Sequence, residues 1–83
     1  MKGNHKKDYL ILIELLYRLR TNSGLTQQQL AAKLGVPQSY VSKVETGERR
    51  IDVIELRKIC NALNSNLIEF SVILEKELSE TKS

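Results

Sequence analysis

Residues 25–50 read LTQQQLAAKLGVPQSYVSKVETGERR, and the first third of this stretch carries the start and stop signals of a short helix. We predict that this helix spans Gln27–Leu34. Thr26 is a favourable N-cap residue, and Gln29, three positions later, completes a capping box. Gly35 can adopt the left-handed backbone conformation that ends many helices. The local chemistry therefore predicts both ends of the helix.

A second short helix is predicted at Pro37–Thr46, because proline suits the first helical turn. Only Gly35 and Val36 separate it from the first, and a tight, glycine-bearing turn between two short helices is typical of a helix-turn-helix unit. Its outer face carries hydrogen-bonding side chains and one cation: Gln38, Ser39, Tyr40, Ser42 and Lys43. Gln, Ser and Lys can read base edges in the major groove of DNA. The helix predicted at Pro37–Thr46 is thus the candidate reading helix.

Three further helices are predicted, one before this unit and two after it. The first covers about Asp8–Asn22, where apolar residues recur at helical intervals. The fourth begins after Asp52, which forms a second capping box with Glu55. The fifth runs from Asn66 to about Leu78. The predicted fold class is therefore all-α, a compact five-helix bundle that contains a helix-turn-helix.

The composition predicts one domain and excludes several classes of protein. Residues 1–83 are expected to form a single domain with a basic flexible arm at 1–7 and a frayed tail at 79–83. The lone Cys60 excludes a disulfide framework. We expect no metal, no cofactor and no enzymatic activity, because neither a ligand cluster nor a nucleophile beside a base occurs. Glu14 interrupts the first apolar run, so neither a signal peptide nor a membrane span is expected.

The charge is distributed unevenly along the chain. Residues 1–58 carry a net charge of +5, whereas residues 59–83 carry −2. A basic part of this kind suits a polyanion such as DNA, and a neutral or acidic end suits another contact. On charge alone, a solvated surface with scattered charges explains the pattern equally well.

Several short elements occur together along the chain: Arg20, the Gly24-Leu25-Thr26-Gln27 start, Leu30-Ala31, Leu34-Gly35, Ser42-Lys43-Val44-Glu45 and Gly47. Together they resemble the Cro/repressor-type helix-turn-helix family of transcriptional regulators, also called XRE-type. The resemblance covers about residues 12–63 and implies a five-helix, lambda-repressor-like DNA-binding domain. The chain length and acidic tail also resemble the controller proteins of restriction-modification systems.

This resemblance implies a role for individual residues. Gln38 and Ser39 correspond to the first base-contacting pair, Lys43 to the next contact, and we add Ser42 to this group. Gln27 corresponds to a residue that binds a phosphate and braces the reading helix. Arg20 and Glu45 correspond to an internal ion pair. Arg49 and Arg50 correspond to residues that contact the DNA backbone.

Two positions in the reading helix leave questions open. Tyr40 is a candidate backbone contact, but it could equally pack on a neighbouring side chain. Pro37 stands where many family members have Ser or Thr. It can neither cap the helix through a hydroxyl nor touch a phosphate in that way.

The predicted function is a sequence-specific regulator that binds double-stranded DNA in the cytoplasm as a homodimer on a pseudo-palindromic operator. The dimer is expected to form through apolar residues of the fifth helix outside its core stripe, Ile68, Val72 and Ile73. A second stripe on the first helix, Leu10, Ile13 and Tyr17, is the next candidate. The alternative function is an antitoxin-like module whose main partner is a toxin protein, since the fold does not determine the function. No small-molecule ligand is expected.

Overall fold

A computed structural model describes residues 5–81, which form five helices and no β-strand. The all-α, five-helix prediction is therefore confirmed. None of the described helices is long and apolar enough to cross a membrane. The helices are α1 (His5–Asn22), α2 (Gln27–Leu34), α3 (Gln38–Glu45), α4 (Val53–Ala62) and α5 (Leu67–Thr81).

The helix starts predicted from capping residues are present. The Thr26 hydroxyl accepts from the Gln29 N–H at 3.0 Å, and the Gln29 side chain accepts from the Thr26 N–H at 2.9 Å. Asp52 and Glu55 form the same reciprocal pair at 2.8 and 2.9 Å. At the start of α5, Asn66 Oδ1 accepts from the Glu69 N–H at 2.8 Å. These caps satisfy N–H groups that have no partner inside the helix.

The helix ends also follow local rules. Gly35 has a φ of 71° and its N–H donates to the last turn of α2, which reverses the chain toward α3. Asn64 has a φ of 61° after α4, as expected for asparagine, which tolerates the left-handed region better than most residues.

One apolar core joins all five helices. α2 packs against α3 and α4, α5 packs against α1 and α4, and α1 also packs against α3. Phe70 and Cys60 are completely buried, and burial raises the pKa of the Cys60 thiol to about 11. The other buried members of this core are Leu15, Leu16, Leu30, Ala31, Val41, Val44, Leu56, Ile59 and Leu63.

The structure corrects the predicted ends of the chain. α1 begins at His5, so residues 5–7 belong to a helix and not to a flexible arm. α5 continues to Thr81, so residues 79–81 are helical and not frayed. The rest of the predicted arm and tail, residues 1–4 and 82–83, lie outside the described residues. The added residues, 5–7 and 79–81, are all polar, so the apolar pattern that located the two helices did not extend to them.

Two further predictions need correction. Pro37 is the N-cap of α3 and not its first helical residue, and it makes no side-chain capping bond. Ile13 is only 6% exposed, whereas Leu10 and Tyr17 are about half exposed. Ile13 lies one turn from Leu16 on the core side of α1, so the predicted surface stripe is reduced to two residues.

Candidate nucleic-acid interface

The outer face of α3 is the candidate reading surface. Val41 and Val44 anchor α3 in the core, each 3% exposed. Gln38, Ser39 and Lys43 are exposed on the other side, and Ser42 and Tyr40 are half-buried at its edges. All five residues singled out on this helix therefore lie at or beside one accessible face.

Gln27 braces α3 at both ends. Its Nε2 donates to Glu45 Oε1 at 2.9 Å, and its Oε1 accepts from Gln38 Nε2 at 3.3 Å. A residue at the start of α2 thus connects the first residue of the reading helix with the last. This brace holds α3 against α2, and the bond from Gln38 to Gln27 orients the Gln38 side chain.

The expected ion pair between Arg20 and Glu45 is present and buried. Arg20 Nε and Nη2 donate to the two Glu45 oxygens at 2.6 and 3.0 Å, and Nη1 donates to the Leu25 carbonyl at 2.7 Å. The two side chains are only 9% and 7% exposed. The pKa of Arg20 is raised, because its hydrogen bonds with Glu45 outweigh the desolvation that lowers it. The pair therefore links α1 to the end of α3 and uses the one carboxylate of that helix.

The segment between α3 and α4 carries the two arginines expected to contact the DNA backbone. Arg49 Nη2 donates to Glu55 Oε2 at 2.7 Å, and its guanidinium carbon lies 4.8 Å from the centre of the Tyr40 ring. The Arg50 guanidinium lies 4.2 Å from the centre of the Tyr9 ring. Of the two readings of Tyr40, packing on a neighbour is realised through Arg49, while a backbone contact is still a prediction.

Glu55 has two roles that share one carboxylate. One oxygen accepts from the Asp52 N–H in the capping box, and the other accepts from Arg49. The Asp52 N–H lowers the pKa of Glu55 most, and Arg49 lowers it further. The sequence predicted the cap but not the ion pair, because the partner approaches from a loop whose course no local signal determines.

Sequence reasoning also missed the role of Tyr9 and an exposed apolar pair on α4. Tyr9 Oη accepts from the Ile51 N–H at 3.2 Å, across a separation of 42 residues. Val53 and Ile54, in the first turn of α4, are 57% and 59% exposed. The sequence could have predicted the exposure of this pair only because Val53 and Ile54 lie off the face of α4 that carries Leu56, Ile59 and Cys60.

The apolar residues expected at a dimer seam are exposed on α5. Ile68 is 78% exposed, Val72 64% and Ile73 41%. On the helical wheel, Ile68 and Val72 lie on one face and Ile73 lies on its flank. Within residues 5–81, no group of three or more metal-ligating side chains comes together.

Comparison with known proteins places this arrangement in a family. The family model described as helix-turn-helix matches residues 16–70. A relative from Sinorhizobium fredii, the uncharacterized HTH-type transcriptional regulator y4dJ, is 40% identical over 52 residues, which are 63% of this chain and 68% of that protein.

Solved structures show the same architecture. An XRE-family like protein from Pseudomonas syringae is 42% identical and superimposes with a TM-score of 0.86 over 92% of this chain and 93% of the other. The restriction-modification controller protein C.Esp1396I, solved as a tetramer with its natural 35 base-pair operator, is 26% identical. It covers 84% of this chain and 92% of its own, with a TM-score of 0.77. The chain belongs to the XRE-type helix-turn-helix family of transcriptional regulators.

Proposed function

We propose that this regulator binds a specific, pseudo-palindromic operator in double-stranded DNA as a homodimer, with α3 in the major groove. The observation that carries the proposal is the outer face of α3, which exposes Gln38, Ser39 and Lys43 but no carboxylate. Glu45, the one acidic residue of the helix, is turned inward and paired with Arg20. Such a face can approach DNA without repelling it.

The proposed base contacts follow from side-chain chemistry. A glutamine side chain can both donate to and accept from an adenine edge, a lysine can donate to guanine, and a serine can do either. Gln38 and Ser39 lie at the start of the helix, which enters the groove first in this motif. Lys43 and Ser42 follow one turn later and would contact the next bases.

The proposed backbone contacts surround this face. Arg49 and Arg50 follow α3, Tyr40 lies at its edge, and Gln27 lies beside Gln38. Contacts to phosphates fix the register of the protein on the duplex and supply most of its non-specific affinity. Arg49 would make its contact while it is still paired with Glu55, so we expect Arg50 to contribute more.

The proposed dimer places α5 at the seam, with Ile68, Val72 and Ile73 covered by the second copy. The related controller protein C.Esp1396I assembles as a tetramer on its operator. Two-fold symmetry would place two copies of α3 about 34 Å apart, which is one turn of DNA. The regulator would act in the cytoplasm, on DNA in the nucleoid of a prokaryote or on a phage genome.

Selection of bound duplexes from random DNA tests the proposal directly. We expect a recovered site with two inverted half-sites whose centres are about 10 base pairs apart or a multiple of this. Recovery of no preferred sequence would contradict specific readout. A single half-site without symmetry would contradict the homodimer but would remain consistent with α3 as the reading helix.

A further inference from the structure

Arg49 and Arg50 are adjacent in sequence, but they are held in different ways. Arg49 is paired with Glu55 at the protein surface and packs on Tyr40, so a carboxylate already lies beside its charge. Arg50 takes part in none of the ion pairs between described residues, and its guanidinium lies over the ring of Tyr9. Its positive charge is therefore available to an external anion.

Tyr9 contacts the loop at two successive residues. Its ring lies under the Arg50 guanidinium at 4.2 Å, and its hydroxyl accepts from the backbone N–H of Ile51 at 3.2 Å. On the other side of Arg50, the N–H of Arg49 donates to the Lys43 carbonyl at 3.0 Å. The backbone is thus held by α3 before Arg50 and by α1 after it.

The geometry points to Tyr9 as a positioning residue for DNA binding, which holds Arg50 ready for a phosphate. This inference rests on the proposed function. A guanidinium that lies over an aromatic ring uses its face for that contact, and its N–H donors, which lie in its plane, stay free for phosphate oxygens. An arginine side chain otherwise loses much rotamer freedom when it binds. Tyr9 removes part of that loss before DNA arrives.

A double-mutant cycle between Tyr9 and Arg50 tests this role. Binding is measured to the selected duplex and to a mixed-sequence duplex of equal length, at several salt concentrations and at a temperature where every variant is folded. Tyr9→Leu should weaken binding to both duplexes by about two- to fivefold, the factor that an exposed cation–π contact corresponds to. The slope of log affinity against log salt should also become shallower, by up to about 0.9 for one lost phosphate contact.

The cycle separates positioning from general stability. In an Arg50→Ala background, Tyr9→Leu should cause no further loss of affinity, because the arginine that it positions is already absent. Tyr9→Phe, which keeps the ring but not the hydroxyl, should retain the salt slope and lose less affinity. If the leucine variant does not fold, the cycle can use this smaller loss, which should also disappear in the Arg50→Ala background.

The outcomes distinguish the two levels of the proposal. If the Tyr9 and Arg50 losses are additive, or if Tyr9→Leu binds as tightly as wild type, the positioning role is wrong while DNA binding stands. If the wild-type protein shows no salt-dependent binding to either duplex, the proposed function itself fails.

Discussion

At the scale of single residues, the Glu45 carboxylate accepts three side-chain hydrogen bonds. It accepts from Arg20 through both oxygens and from Gln27 through Oε1. Glu45→Ala leaves Arg20, whose side chain is 9% exposed, without its carboxylate partner. Breaking a buried pair on one side costs about 3–5 kcal/mol. Urea denaturation should therefore show a loss of this size in the free energy of unfolding.

Glu48→Ala is the matched control for that measurement. Glu48 is an exposed glutamate three residues later, and exposed substitutions of this kind change stability by about 0.5 kcal/mol or less. In a domain of this size, a difference of several kcal/mol also separates the melting temperatures by more than about 10 °C. Equal stability of the two variants would show that the Arg20–Glu45 pair contributes nothing.

Readout is the second prediction at this scale. Gln38→Ala and Lys43→Ala should each relax the preference at a defined base position of each half-site by about 1–3 kcal/mol. Lys33→Ala removes the same charge from α2, where Lys33 Nζ donates to the Ala62 carbonyl, and should leave base preference unchanged. Repeating the site selection with each variant measures this. Unaltered preferences in both α3 variants would mean that α3 is not the reader.

At the scale of helices, local signals predicted most boundaries. The ends of α2 and the start of α4 depend on side-chain caps and on Gly35, whose partners are at most a few residues away. The start of α1 was predicted three residues too late, because the helix was located by its apolar stripe, which begins only at Tyr9. Pro37 was placed inside α3, although its ψ of 155° is extended. Proline suits both positions, so its identity could not decide between them.

Gly35 is the element-scale prediction, because it forms the turn between α2 and α3. A Cβ there would meet no atom within 4 Å, so a substitution is disfavoured by its backbone conformation and not by a clash. Gly35→Ala should cost about 1–2 kcal/mol, the penalty of a left-handed conformation with a side chain. Gly35→Asn should cost less, since asparagine tolerates this region. Thermal unfolding compares the stabilities of the two variants. Equal losses would mean that the left-handed backbone conformation at residue 35 does not determine the cost.

At the scale of the whole molecule, contacts between distant residues mark the limit of prediction from sequence. The exposed face of α3 could be predicted, since helical period separates Val41 and Val44 from their neighbours. The contact of Tyr9 with the loop could not, because it depends on how the start of α1 packs against the segment between α3 and α4. The burial of Ile13 has the same origin. The Arg20–Glu45 pair could be predicted only through the resemblance to the helix-turn-helix family, because no local signal connects two residues 25 positions apart.

The exposed apolar residues of α5 also belong to this scale. Ile68 and Val72 are well exposed one turn apart, whereas Phe70 and Leu74 face the core. Full burial of each β-branched side chain is worth about 1.5–3 kcal/mol, so a partner surface has a clear driving force. At the protein surface, Arg18 of α1 donates to both carboxylate oxygens of Glu77 in α5, at 2.7 and 2.8 Å.

The last prediction concerns that seam. Ile68→Glu with Val72→Lys should give a folded monomer, because both side chains are exposed in the isolated chain and the core is untouched. Each monomer presents one α3, so binding to a two-half-site operator should weaken strongly when the two halves no longer bind together. Val53→Glu with Ile54→Lys is the matched control, since it places the same charges on the exposed apolar pair of α4. Sedimentation of both double variants locates the seam. If the α5 variant remains a dimer while the α4 variant dissociates, α4 forms the interface and the assignment to α5 is wrong.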